Sequence, residues 1–552
     1  MPATSADTFV HLPADSNQAL GIAQYAIDFM AGKLGDGPAD SVWKKTELFH
    51  TDSVFCGLSA LALGTNAPTL LRDEALSYPS AGVGGYLGRS TMHGATPFGT
   101  SQRVKAEKAV VANSSAVREW DSNGTNFGYD PARGNTAGEF GHNDFYPVCV
   151  AAAQMLGPDA GGTGEYALRG MICLDEIRGR LAECFSLKSY KIDHVVHGAI
   201  ASAATFGAMV GATAEQIESA IGMVVAHYIP WRAIRAGKQL SDSKGASAAI
   251  STEMAVLSLK RSMAGFVGPR DIFRNPEAIF RFFEPTTEGD KRWTEMAPSP
   301  FDLHLSHSGE DFAVMGMHFK LGLYEHQSAG ALQGLIDLVA ANPSLLAKHD
   351  GSAIDTIEIA AYEPAFGIIG NPAKMDPKTR QSADHSMAYI VSTKLRKALE
   401  LAKANGSLDT SGGSHDAVWK ALMLSPYDYK VDDTAIFNDL TRSLMAKIKF
   451  VHGGPEFDRN YPDGIPTSIK ITDDQGKTHD SGMVMYPAGH ARNTSADLEG
   501  ILDHKFRLLG EIAVGEDKVQ PAIDKLSNLR EQDANAMQSL YDIPFVDRGR
   551  FE

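Results

Sequence analysis

Apolar residues in the first half of the chain recur with the period of a helix. Ile22, Ala23, Ala26, Ile27 and Met30 fall on one helical face, with Asp15 and Ser16 placed to cap its start. Residues 53–63 predict another apolar helix. Residues 104–120, 146–156, 164–186, 196–212 and 214–228 predict more, rich in Ala, Leu, Met and Glu and separated by short connections. The texture changes over residues 284–300, where Pro, Asp, Glu and Thr accumulate. Beyond it, Ile357 and Ile359 alternate with polar residues, as in a half-buried strand over 356–362. Residues 468–472, a turn at 473–476, and 483–486 predict a β-hairpin. Helices at 328–341 and 382–403 sit among these strands, and the chain returns to helix at 496–510 and 519–540.

This pattern predicts a mainly α protein. Residues 1–290 form the first part of a large helical domain, 291–488 a smaller α+β domain, and 489–552 C-terminal helices that pack back on the helical domain. Two glycine-rich stretches interrupt it. The one from Gly82 to Gly88 lacks the strand and glycine spacing of a dinucleotide loop and reads as a plain loop. The one from Gly124 to Gly141 is long and polar, and such a loop inside a compact domain is often functional.

Composition narrows the classes of function. The 552 residues are 43% hydrophobic and 21% charged, the balance of an ordinary globular chain of two or three domains. A net charge of −16 argues against a nucleic-acid surface, but leaves room for a small anion in a locally basic pocket. Cys56, Cys149, Cys173 and Cys184 are scattered, so buried reduced thiols are expected instead of a zinc site or an iron–sulfur cluster. The first residues have no targeting pattern, and the uncharged stretch 198–213 is too short to span a bilayer. The expectation is a cytoplasmic protein without a membrane partner.

Ionisable residues gather in six segments. Asp121 and Thr125 lie where a helix runs into the long loop and are placed to orient a substrate hydroxyl; turn hydrogen bonds by Asp121 and Asn123 are the plainer reading. His142 follows in a glycine-flanked turn. His194 and His197, three apart at a helix start, suit acid–base work or helix capping; no carboxylate at matching spacing makes a metal site of them. Arg232, Arg235, Lys238 and Lys244 form a basic loop in an acidic protein, suited to a di- or tricarboxylate or simply to solvent. Lys320 and His326 are placed to reach a cleft from the second domain, as is Tyr389, which shares a helical face with His385.

The order of these segments is more specific than any one of them. Trp120-Asp-Ser-Asn-Gly-Thr125 with Phe140-Gly-His142, then Asp193-His-Val195, then Arg232-x-x-Arg235 with Lys244, then Tyr486-Pro-Ala-Gly-His-Ala-Arg492 resembles the MmgE/PrpD family over roughly residues 20–285 and 310–540. The resemblance implies a helical domain, an α+β lid, a cleft between them, a homodimer and no required cofactor or metal. It also implies a catalytic or substrate-contacting set of Asp121, Thr125, His142, His194, Lys244 and Tyr389. Ser122 and Gly124 depart from the family's usual aromatic and acid, Asn143 and Asp144 from its Pro-Ser, and the loop before His142 is longer than usual. The expected reaction is cofactor-free dehydration of a hydroxy-tricarboxylate, with His142 and His194 sharing the acid and base roles and Arg232, Arg235 and Lys244 holding carboxylates. The alternatives are decarboxylation or epimerisation on the same scaffold, or a non-catalytic anion-binding homologue.

Overall fold

The computed structural model describes residues 8–80, 93–235, 240–279 and 295–551. The glycine stretch 82–88, Lys238 and most of the change of texture at 284–300 lie outside the described residues.

The fold is mainly helical with small sheets. Its first helix, Gln18–Met30, buries Ile22, Ala23, Ala26 and Met30, and Ile27 packs partly buried at the edge of the same core. Its cap is Asn17, whose side chain accepts the Leu20 N–H at 3.2 Å; Asp15 and Ser16 stand too far upstream. The helix predicted at 53–63 is the second half of a longer one, Asp40–Ala62. Thr46, His50, Thr51, Asp52 and Ser53 are all buried inside it, which hides its apolar period. The basic loop is also shorter than expected. Asp242–Met263 is a helix with Lys244 in its first turn, and the helices Ala106–Arg118, Val195–Val210 and Ala214–His227 all pack on it.

Three sheets accompany the helices among the described residues. Phe9–Leu12 pairs antiparallel with Leu303–Ser306, Phe9 opposite Ser306. Thr125–Phe127 pairs antiparallel with Phe140–His142, which sets Thr125 directly opposite His142. This short ladder lies inside the stretch read as a loop. The third sheet has four strands in the order Ile448–His452, Ile354–Ala361, Thr467–Asp473 and Thr478–Asp480, the first pair parallel and the rest antiparallel. The hairpin partner is Thr478–Asp480; residues 483–486 contribute only the bridge Thr467–Val484. Asp473 exchanges backbone and side-chain hydrogen bonds with Lys477 and closes the turn early.

Helix Ala329–Ala341 packs on the strand Thr467–Asp473, and Met387–Asn405 packs on that helix. The C-terminal helix Leu498–Val514 lies against Asp40–Ala62, returning the chain end to the first helices. The helix expected over 519–540 is broken: Glu516–Leu526 ends at Ser527, and Asp533 caps a new short turn at Ala534–Met537. Among the described residues no single helix is long and apolar enough to cross a membrane.

Candidate active site

A cavity of about 60 Å³ lies between two walls. Arg118, Thr125, His142, His194, Arg232 and Arg235 form one, and Glu325, Gln327, Ile368, Ile369, Lys374 and His385 belong to the other. A larger groove of about 350 Å³ beside Trp231 is lined mainly by apolar residues, so the chemistry points to the smaller cavity.

The wall of basic residues and histidines is set by short local structure. The ladder that pairs Thr125 with His142 turns both toward the cavity, and Thr125 Oγ donates to Gly141 O at 2.9 Å. His194 stands at the start of the helix Val195–Val210, and its ring lies 5.3 Å from that of His142. Arg118 Nη2 lies 3.1 Å from His142 Nε2. A guanidinium has only hydrogens to offer, so His142 is neutral with its proton on Nδ1. Burial and then Arg118 and Lys320 hold its pKa well below the usual imidazole range. Burial does the same for His194, with Asp193 opposing and Arg235 and Arg232 reinforcing. Asp193 Oδ1 sits 3.6 Å behind His194 Nδ1, which leaves Nε2 for the cavity. His197 turns away instead, its Nε2 3.0 Å from Phe185 O, and caps the preceding segment.

The two arginines differ. Arg235 is tied to Asp193 through its Nε and Nη2 and to Ser247 at 3.2 Å. Burial would raise the Asp193 carboxyl, but Arg235 and His194 hold it below the usual carboxylate range. Arg232 instead has a buried Nη1 with no hydrogen-bond partner among the described residues, on a side chain lining the cavity. That atom is an open receptor for a carboxylate oxygen.

Asp121, Lys244 and Lys320 do not line the cavity; they form a charged layer behind it. Asp121 has φ +50°, a left-handed conformation that Asp tolerates, and is fully buried. Its Oδ1 takes Arg118 and Lys320 Nζ, the latter at 2.5 Å. Its Oδ2 lies 3.1 Å from His385 Nε2 and 3.5 Å from Lys244 Nζ. Lys244 also reaches Asp384 Oδ1 at 3.3 Å, and burial pulls its ammonium down to about 7. His385 Nδ1 is 2.6 Å from the same Asp384 oxygen. Asp121, Asp384 and His385 are close enough to hold a cation, but Lys244 and Lys320 already contact the carboxylate oxygens it would need. Beneath this layer Lys505, from the C-terminal helix, donates to Ser122 O at 2.7 Å and Lys320 O at 2.8 Å and pairs with Asp52 at 2.6 Å.

Two residues expected at the site lie elsewhere. The hydroxyl of Tyr389 donates to Asp428 O at 2.5 Å. Its helix face packs on Tyr429, 5.7 Å away, so Tyr389 is a packed ring. His326 is turned back by the 3₁₀ turn His326–Ser328 into a stack with His318, ring centroids 5.2 Å apart. Its neighbours Glu325 and Gln327 face the cavity instead. Burial pushes the Glu325 carboxyl up to about 7, with Lys320, Arg118 and Lys244 opposing. Arg118, Glu325, Gln327, Lys374 and His385 are polar lining residues that the sequence did not single out, although Arg118 stands two positions before Trp120 and His385 four before Tyr389.

The departures from the family motif have a packing cause. Ser122 Oγ donates to Gly322 O at 2.7 Å, away from the cavity. A side chain at position 124 would meet the Phe49 ring at 2.3 Å, and that ring stacks on Phe319 at 3.8 Å. Asn123 Nδ2 donates to Asn143 Oδ1 at 3.0 Å and to Asp144, so the unchanged Asn123 meets both changed residues of the second segment.

Residues 22–290 match the MmgE/PrpD N-terminal domain. The chain is also similar to the 2-methylcitrate dehydratase of Escherichia coli O157:H7, 22% identical over 470 residues that cover 82% of this chain and 84% of the relative. The 2-methylcitrate dehydratase of Salmonella typhi is 22% identical over 473 residues, with the same shares covered. That of Escherichia coli K12 is 22% identical over 470 residues, again covering 82% and 84%.

Proposed function

The chain belongs to the MmgE/PrpD family, and from that premise we propose that it is a cofactor-free hydro-lyase that dehydrates 2-methylcitrate or a related hydroxy-tricarboxylate. One observation carries this reading. Two neutral, buried imidazoles, His142 and His194, share a cavity with the unpartnered Nη1 of Arg232. A multiply charged acid needs that cation, and removal of a proton beside its carboxylate needs a base that is unprotonated at working pH.

Arg232 takes one carboxylate, and Arg118 and Arg235 lower the cost of the charge that develops as the proton leaves. The geometry favours His194 over His142 as the base. Asp193 stands behind Nδ1 of His194, while Nε2 of His142 is engaged by Arg118. His142 then offers its Nδ1–H as a donor to the substrate. Thr125, opposite His142, contacts the same ligand, and the Asp121, Lys244 and Lys320 layer fixes Arg118 and His385 from behind. The cavity of about 60 Å³ is smaller than a tricarboxylate, so substrate enters as the wall carrying Ile368, Ile369 and His385 moves outward.

The test is the purified protein against citrate, 2-methylcitrate, cis-aconitate and iminodisuccinate. Growth of ultraviolet absorbance from a conjugated alkene with a hydroxy-tricarboxylate supports dehydration. Carbon dioxide from cis-aconitate, or inversion of iminodisuccinate, without any dehydration replaces it with the decarboxylase or epimerase reading. Thermal stabilisation by these acids with no turnover replaces it with an anion-binding role. The same reading includes a homodimer in solution, which sedimentation velocity measures.

A further inference from the structure

An elimination needs an acid as well as a base, and the cavity that His194 lines carries a residue suited to that role. Glu325 lies between Lys320 and the helix Ala329–Ala341, and it lines the cavity together with His142 and His194. Its backbone is fixed: the Glu325 N–H donates to Asp384 O at 3.0 Å. Its carboxyl is fixed too, because Oε2 accepts the Gln327 N–H at 2.9 Å. Oε1 has no donor among the described residues. Lys320, Arg118 and Lys244 all act on this carboxyl electrostatically, so the anion left after proton donation is formed among cations.

We propose that Glu325 is the proton donor to the departing hydroxyl, in the cavity it lines together with the base His194. This rests on the dehydratase reading above. His194 Nε2 takes the proton from the carbon beside the carboxylate, and the C–H electron pair becomes the second bond of the alkene. The carbon–oxygen bond breaks with its electron pair on oxygen, which takes the Glu325 carboxyl proton and leaves as water. The step ends with a His194 imidazolium and a Glu325 carboxylate. Return of one proton from the first to the second resets the site, so nothing is consumed but substrate. Burial supports the assignment, since it holds Glu325 protonated to a higher pH than an exposed glutamate.

Glu325→Gln keeps the shape and the acceptor for Gln327 but removes the acid. With the hydroxy-tricarboxylate its kcat is expected to fall about 100-fold or more, with KM within a few-fold of wild type. With the analogue carrying fluorine in place of that hydroxyl, whose leaving group departs without a proton, the loss is expected to stay below about 5-fold relative to wild type. Equal loss on both substrates overturns the assignment in favour of positioning, and near wild-type dehydration by Glu325→Gln overturns it outright. If Glu325→Gln does not fold, Glu325→Asp, which keeps a shorter acid, is read the same way. There the hydroxy substrate must slow more than the fluoro substrate. A wild-type protein that dehydrates no hydroxy-tricarboxylate overturns the underlying reading instead, so the two failures are distinct.

Discussion

Lys320 grips Asp121 twice, donating to its carbonyl oxygen at 2.9 Å and to its carboxylate Oδ1 at 2.5 Å. The pair joins the loop after the helix Ala106–Arg118 to the segment that carries Glu325, with neither side chain exposed. Burial holds the Lys320 ammonium pKa well below its usual value even with Asp121 beside it, which marks how costly a charge is there.

Asp121 has three cationic neighbours, Arg118, Lys244 and Lys320, so its removal is worse than removal of any one of them. Asp121→Asn is expected to lose about 3–5 kcal/mol of stability, as broken buried ion pairs do. Lys320→Met leaves Asp121 still paired to Arg118 and is expected to lose less. Urea unfolding of both variants measures the order, and the reverse order contradicts this account of the layer.

His194→Asn is expected to lower kcat by about 100-fold to 10,000-fold with the fold intact. The wild-type pH profile carries a second sign. A base whose pKa is lowered stays unprotonated to lower pH, so the acidic limb of kcat/KM lies below the usual imidazole value of about 6.5. Bound trianion favours the imidazolium, so the limb in kcat lies at higher pH than the limb in kcat/KM.

Arg232 carries an unpartnered guanidinium nitrogen, so its loss removes binding and little else. Arg232→Met is expected to raise KM about 10- to 100-fold, the worth of one charged hydrogen bond, with a melting temperature equal to or above that of wild type. Arg235→Met, which strips Asp193 of its partner, is expected to lower both activity and melting temperature.

Lys394 is buried and has no hydrogen-bond partner among the described residues, its Nζ 3.8 Å from the Trp419 ring centroid, and burial lowers its pKa well below the usual value. Below the unfolded pKa of about 10.4 the unfolded chain therefore binds a proton that the folded chain does not, and stability from this group rises with pH up to that value. Lys394→Met is expected to stabilise the protein by about 1–3 kcal/mol near neutral pH and to flatten the rise between pH 7 and 10. Denaturant unfolding at several pH values checks both.

Because Lys244 and Lys320 already contact the carboxylate oxygens of Asp121 and Asp384, dialysis against a chelator is expected to leave turnover unchanged, and added divalent cations to leave it unchanged or lower it. Activity that appears only with added metal contradicts the two ammonium groups' role.

The helical half was legible because its apolar period is uninterrupted in Gln18–Met30, Val195–Val210 and Ala214–His227. It failed at Asp40–Ala62, where polar residues buried by tertiary contact look like surface. The hairpin partner was missed because residues 483–486 carry more apolar character than Thr478–Asp480, yet the turn chemistry of Asp473 decides the register. At the site, motif order found His142, His194, Arg232 and Thr125, all on the cavity. It could not separate Glu325 from His326, because a single 3₁₀ turn decides which neighbour faces inward. It also gave Lys244 a contacting role, where the structure sets it one layer back.

Lys505 has a consequence for how the molecule comes into being. Its three acceptors, Asp52 and the carbonyls of Ser122 and Lys320, are contributed by segments translated long before it. A nascent chain that has not yet reached Lys505 holds those oxygens without this donor, so the pocket acquires its final shape only after Lys505 has been made. A chain cut before Lys505 is expected to keep much of its helix content by circular dichroism and to have no activity.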